Sequence, residues 1–456
     1  MKYLHRTLLI AAAAVPTAHA QEPAPHGTAF VHVNVVPMDS DRVLRDQSVV
    51  VDGNTIRTIG THVDIPKDAT VIDGHKTAYL MPGLADMHIH ADTRNDLAVY
   101  LSQGVTTVLH MGGARAGFID STVPAANRGA IPAPHVYAAF LVDGSTDYNG
   151  FVIKTPAQAR AIVDLAKTNG YDFMKVYVGL APDVFDALAE QGRALGLPLV
   201  GHGVTAVRLE RQLAEGQVLV AHAEEFFYTF FTARGAEETD DPPDESRIPE
   251  AIALAKKYGA TVTADLATYK AIGSQIGHPE VLKSFVDGPE SAYVSPNDLV
   301  AWRNSGYVGK SARLERKLDF LRKMVRRMAN ENVELVAGTD APGVPGMRPG
   351  FSLHDDLDEL LAAGLTPFQV LSTTTREPGT FIQRTKGGQP FGVVAPGYRA
   401  DLILSSENPL TSLDTLRKPL GVMAAGRWRD AQTLASLGDA VCRSYRRGDD
   451  GSRACP

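Results

Sequence analysis

Two histidines, His88 and His90, stand one residue apart at the end of the apolar run YLMPGLADMHIH. Alternate residues of a strand face the same side, so both imidazoles point one way and Ile89 the other. Similar polar endings recur along the chain: Lys175 in YDFMKVYVG, His202 in PLVGHG, His222 in VLVAHA and Asp340 in VELVAGTD. Neutral imidazoles and carboxylates are good ligands for Zn²⁺ and similar divalent ions. Each residue alone has an ordinary explanation. A histidine at a strand end is commonly a hydrogen-bonded structural residue, and an aspartate after Gly-Thr commonly caps a helix. Lys175 is different, because lysine is rarely buried and this one sits among Phe173, Met174, Val176 and Tyr177. Desolvation near metal ions depresses the pKa of an amine. The neutral amine can take up CO₂ and become a carbamate, whose two oxygens would bridge metals about 3.5–4 Å apart.

These residues need a frame that brings them together. Between residues 81 and 385, eight apolar runs alternate with amphipathic ones: GLADMHIH, GVTTVLHM, PHVYAAFL, YDFMKVYVG, PLVGHG, VLVAHA, ATVTADLA and VELVAGTD. The segment PDVFDALAEQGRALG carries Val184, Leu188 and Leu195 at helical spacing. Eight strands alternating with helices predict a parallel (β/α)₈ TIM barrel in an α/β chain, in preference to a doubly wound sheet. The strand C-termini of such a barrel converge on one face, where these folds place their chemistry. Two long connections, 223–248 and 270–310, are expected over that face, except that the acidic DDPPDES part of the first reads as a solvated surface loop.

The flanks read differently. Residues 29–80 and 386–430 are short β-rich segments broken by turns such as VDGNTI, which predicts one small β-sandwich domain built from both chain ends. Residues 1–20 have basic Lys2 and Arg6, the apolar LLIAAAAV and the small-x-small AHA, the pattern of a signal peptide cleaved after Ala20. Export, to the periplasm in a Gram-negative source, is the expectation, and no other segment is apolar enough to span a membrane. Residues 431–456 read as a C-terminal tail holding the only cysteines, Cys442 and Cys455, outside the apparent core. They could close a small loop in an oxidising compartment or stay as free thiols. The net charge of −7, with no long Lys/Arg block, argues against a nucleic-acid partner. A small-molecule or dipeptide substrate is expected, and assembly into a homo-oligomer is left open.

With PGLADMHIH, GVTTV, GTDA, GLTPFQVLSTTT and the closing GVVAPGYRADLIL, the chain resembles the amidohydrolase superfamily of metal-dependent hydrolases over nearly all of residues 29–430. Within it, the likeness is to the imidazolonepropionase-related branch that includes Xaa-Pro dipeptidases. The resemblance implies two divalent ions, expected to be zinc: one on His88, His90 and Asp340, the other on His202 and His222, with carbamylated Lys175 bridging both. Two positions depart from that branch. Its sixth-strand Glu-His-Gly reads AHAEEF here, and its second-strand Arg-Asp is replaced by Leu109 and His110.

The implied reaction is hydrolysis of an amide C–N bond in a dipeptide or N-acyl amino acid, with Asp340 as proton shuttle. Rival readings on the same fold are a one-metal deaminase or cyclic-amide hydrolase and a lactonase or esterase. A non-catalytic metal-binding protein is a further alternative. A substrate carboxylate calls for a cation or hydroxyl donor. Tyr228, Tyr269, Lys270 and Arg348, each following a strand end, are candidates, and His110 is a further pocket candidate.

Overall fold

The computed structural model describes residues 27–146, 150–236, 239–446 and Cys455. The expected signal peptide lies outside them. Eight parallel strands follow one another around a barrel in sequence order: Leu84–Ile89, Val105–His110, His135–Asp143, Phe173–Val176, Leu199–Gly201, Gln217–Val220, Thr261–Thr263 and Leu335–Val336. These are the eight runs expected from the sequence. Backbone hydrogen bonds close the ring between first and last: Met87 N to Ala337 O at 2.9 Å, Asp340 N to His88 O at 2.7 Å and His90 N to Ala341 O at 2.8 Å.

The barrel is filled below the strand ends. Met87, Leu109, Ala139, Phe173, Leu219 and Val336 form one buried apolar cluster with Phe381 and Phe391. Phe381 stacks on Phe173 with ring centroids 5.6 Å apart, closing the interior opposite the polar strand ends. Such side-chain layers make a rigid support rather than a pore. The helix expected around Val184 and Leu188 spans Pro182–Leu195. Gly196 ends it with φ 67, a left-handed turn that glycine takes without steric cost.

The flanking segments assemble into one eight-stranded sheet joined throughout by hydrogen bonds. Strand Tyr79–Pro82 from the N-terminal side pairs antiparallel with Leu402–Ser405 from the C-terminal side. The register of Thr28–Val35 shifts twice along its length. Phe30, Val33, Val49, Leu80, Leu402 and Met423 share one core across the sheet. As expected, both chain ends build one small β domain; its strands form a continuous sheet around that core, and the irregular first strand pairs with different neighbours along its two halves.

The connection over 270–310 is helical, with Pro279–Asp287 and Pro296–Arg303. Trp302 donates its indole N–H to Pro342 O at 2.8 Å, which fastens this insertion two residues beyond Asp340. The C-terminal segment is also more ordered than a tail. Ala431–Tyr445 is a helix whose Leu434, Gly438, Val441 and Cys442 are buried, and Cys442 is disulfide-bonded to Cys455. Tyr445 donates to Asp96 Oδ1 at 2.6 Å, docking that helix on Arg94–Ser102. Among the described residues no helix is long and apolar enough to cross a membrane.

Candidate metal centre

Ala85 and Met87 belong to the apolar interior, yet His88 and His90 also reach the site. The register between the first two strands shifts between Asp86 and Ile89, and a bulge there changes the phase of alternation. The imidazoles are held from behind by their Nδ1 atoms. His88 Nδ1 donates to Ala221 O at 3.1 Å and His90 Nδ1 to Gly112 O at 2.8 Å. His202 Nδ1 lies 2.5 Å from Glu225 Oε1, and His222 Nδ1 is hydrogen-bonded to Asp265 Oδ2. Every Nδ1 thus faces an oxygen acceptor, which fixes a proton there and turns Nε2 toward the centre, the atom that a neutral imidazole offers as a lone pair. The rings crowd together, with His88 4.4 Å from His222 and His222 4.8 Å from His202, centroid to centroid.

Asp340 and Lys175 complete the cluster. Asp340 Oδ1 lies 3.0 Å from His90 Nε2 and 3.4 Å from His88 Nε2. Lys175 Nζ is 3.2 Å from His88 Nε2, and its side chain is 1% exposed. Burial brings the Lys175 amine down to about 8, against the opposing pull of Asp340, Glu225 and Asp265. Burial also pushes His88 and His202 well below the ordinary imidazole range, with the nearby Lys175 charge acting in the same direction. For Asp340, burial works upward. The contact with His90 and the nearby charge of Lys175 outweigh it and hold the carboxyl well below its usual range.

The donor set fits divalent ions. The lone pairs of His90 Nε2 and Asp340 Oδ1 face one another at 3.0 Å, and a buried cation between such atoms relieves their repulsion. Two buried carboxyl groups, Glu225 and Asp265, and the partly buried Asp340 border the imidazoles, and Asp265 Oδ1 has no hydrogen-bond partner among the described residues. Burying that much negative charge is costly without compensating positive charge.

The six expected strand-end residues therefore share one site, while the expected substrate contacts are scattered. His110 is fully buried, its ring 5.9 Å from His90 and 5.6 Å from Phe118. Its Nδ1 accepts from Gly112 N at 3.2 Å. Burial lowers it to about 3, so it is neutral. Tyr228 lies half-buried in the helical turn Phe227–Phe231. Tyr269 is buried in the apolar core, its ring 6.3 Å from Phe227. Lys270 is ion-paired with Glu359, and Arg348 with Glu290 and Asp355.

Sequence reasoning missed Glu225 and Asp265. Asp265 ends the seventh run, ATVTAD, as Asp340 ends the eighth, and that parallel was the available signal. Glu225 lies three residues beyond His222 but holds His202 of the neighbouring strand, a cross-strand contact with no local spacing to betray it.

Residues 79–429 match the family model described as Amidohydrolase family. The ochratoxinase of Aspergillus niger is 24% identical over 426 residues, 85% of this chain and 83% of that protein. Among solved structures, bottromycin amidohydrolase superposes with a TM-score of 0.71 at 22% identity, over 92% of this chain and 91% of that one. A Xaa-Pro dipeptidase with bound methionine in its active site superposes with a TM-score of 0.64 at 19% identity, over 89% of this chain and 100% of that one.

Proposed function

Because the chain belongs to the amidohydrolase family, we propose that it is an exported hydrolase that cleaves an amide C–N bond in a dipeptide or N-acyl amino acid. The names of its relatives, an ochratoxinase, an amidohydrolase and a Xaa-Pro dipeptidase, support amide hydrolysis. Export rests on the N-terminal sequence pattern alone.

Two divalent ions, taken to be zinc, would be held by His88, His90 and Asp340 on one side and by His202 and His222 on the other. Lys175, as its carbamate, would join both. When bound, such ions lower the pKa of water toward neutrality and polarise a carbonyl oxygen. The amine of Lys175 gains a carboxylate by adding to CO₂ and losing one proton, and burial favours the neutral amine that this addition needs. Asp340, kept ionised by its neighbours, is placed to accept the proton of the attacking water and pass it to the leaving amine. The four Nδ1 hydrogen bonds hold the rings in one tautomer and orientation, so little reorganisation accompanies the reaction.

The facing lone pairs of His90 and Asp340 are the observation that carries this reading. A hydrolysis screen of dipeptides, N-acyl amino acids and matched esters with zinc-loaded protein tests it. Turnover of an amide, lost on chelation, is the expected result. Turnover of esters or lactones alone would overturn the amide assignment.

A further inference from the structure

The acceptors behind the four imidazoles divide into two kinds. His88 and His90 are backed by neutral backbone carbonyls, Ala221 O and Gly112 O. His202 and His222 are backed by the carboxyl groups of Glu225 and Asp265. Asp340 divides the same set in the opposite sense, since its oxygen contacts His88 and His90 on their Nε2 side. Each half of the cluster therefore has carboxylate charge, directly in one half and through the imidazole N–H in the other.

The packing is built for the indirect half. Glu225 is 3% exposed at its side chain, and its second oxygen accepts from Gly203 N at 2.9 Å. A Cβ on Gly203 would lie 2.4 Å from Thr229 Oγ1 and 3.0 Å from Glu225 Oε2, so only glycine lets this carboxylate approach the chain beside His202. Asp265 is 1% exposed at its side chain and sits on backbone with φ 23, an uncommon conformation for a residue with a side chain.

We infer that Glu225 and Asp265 are positioning residues that supply the negative charge for the half of the centre formed by His202 and His222. The inference rests on the two-ion reading above. A carboxylate accepting from Nδ1–H raises the basicity of the opposite nitrogen and fixes its direction. Neutralising either carboxylate should therefore weaken one ion and spare the other.

The test is release of zinc from reconstituted protein to a chromogenic chelator, with total zinc counted by mass spectrometry. Wild-type protein should release two equivalents in two phases. Glu225→Gln should lose one ion about 10- to 100-fold more readily and leave the other phase unchanged. Asp265→Asn should act on the same phase, and it carries the test if Glu225→Gln fails to fold by circular dichroism. Equal acceleration of both phases, or of neither, would overturn the inference. A wild-type stoichiometry of one equivalent would defeat the two-ion reading separately. The inference would then stand if both variants hasten release of that ion and fall if they do not.

Discussion

Thr339 clasps Asp86 across the seam of the barrel, its hydroxyl donating to Asp86 Oδ2 at 2.7 Å. Asp86 lies two residues before His88, and Thr339 lies one before Asp340. The other Asp86 oxygen accepts from His88 N at 3.2 Å, and Thr339 Oγ1 accepts from Ala341 N at 3.2 Å. One hydroxyl thus sets the first and last strands against each other at the point where both enter the site. Thr339→Val keeps the shape and removes the donor, leaving a fully buried carboxyl group short of a partner. A loss of about 1–3 kcal/mol in unfolding free energy is expected. Urea denaturation checks it, and an unchanged midpoint would show that the clasp contributes nothing.

Arg208 holds the aromatic turn beyond the sixth strand. Its guanidinium donates to three backbone carbonyls, Tyr228 O at 3.2 Å, Phe230 O at 3.3 Å and Thr232 O at 2.5 Å. Arg208→Met leaves those carbonyls without their shared donor and should cost about 1.5–3 kcal/mol, in the range of hydrogen bonds to a charged group. If Tyr228 contacts substrate, as the sequence leads one to expect, KM should rise while kcat changes little. A stability loss with unchanged KM would confine Arg208 to a structural role.

Asp96 gives a pH signature away from the centre. Burial raises its carboxyl from an ordinary 3.8 to about 6, despite hydrogen bonds from Thr93 and Tyr445. Between those values the unfolded chain has released this proton and the folded chain still holds it. The contribution is therefore complete below 3.8 and lost as pH rises through about 6. Urea midpoints of wild-type protein and Asp96→Asn, compared from pH 4 to 7, should converge or cross as pH rises. Parallel profiles would remove Asp96 as their source.

The parts legible in the sequence are those written in short periods. All eight strands lie in recognisable apolar runs, and six polar residues at five strand ends marked the candidate site because strand ends of a barrel converge. The helix Ala431–Tyr445 also carried its signal, with Leu434, Gly438, Val441 and Cys442 on one face, though the segment reads as a tail in the sequence. What stayed hidden was pairing across distance. His88 meets Ala221 O and His222 meets Asp265, and periodicity reports which face a residue occupies, not what stands opposite. The same limit applies to Lys270 and Arg348, whose acidic partners lie on other elements.

Lys175 separates the two-ion reading from its rivals. Its amine is buried 3.2 Å from His88 Nε2 and brought down to about 8 by burial, a setting suited to carbamate formation. Lys175→Ala removes the proposed link between the two halves. Zinc content should fall and hydrolysis should drop by at least about 100-fold, the effect expected when a metal ligand or its support is lost. Acetate or propionate should enter the vacated space and restore part of both, since a free carboxylate replaces the missing oxygens. Lost packing alone has a different signature. A truncated buried lysine costs about 1–3 kcal/mol and lowers the melting temperature without selective zinc loss, and added carboxylate does nothing for it. Lys175→Ala that keeps two zinc ions and near-normal turnover would sink the carbamate assignment.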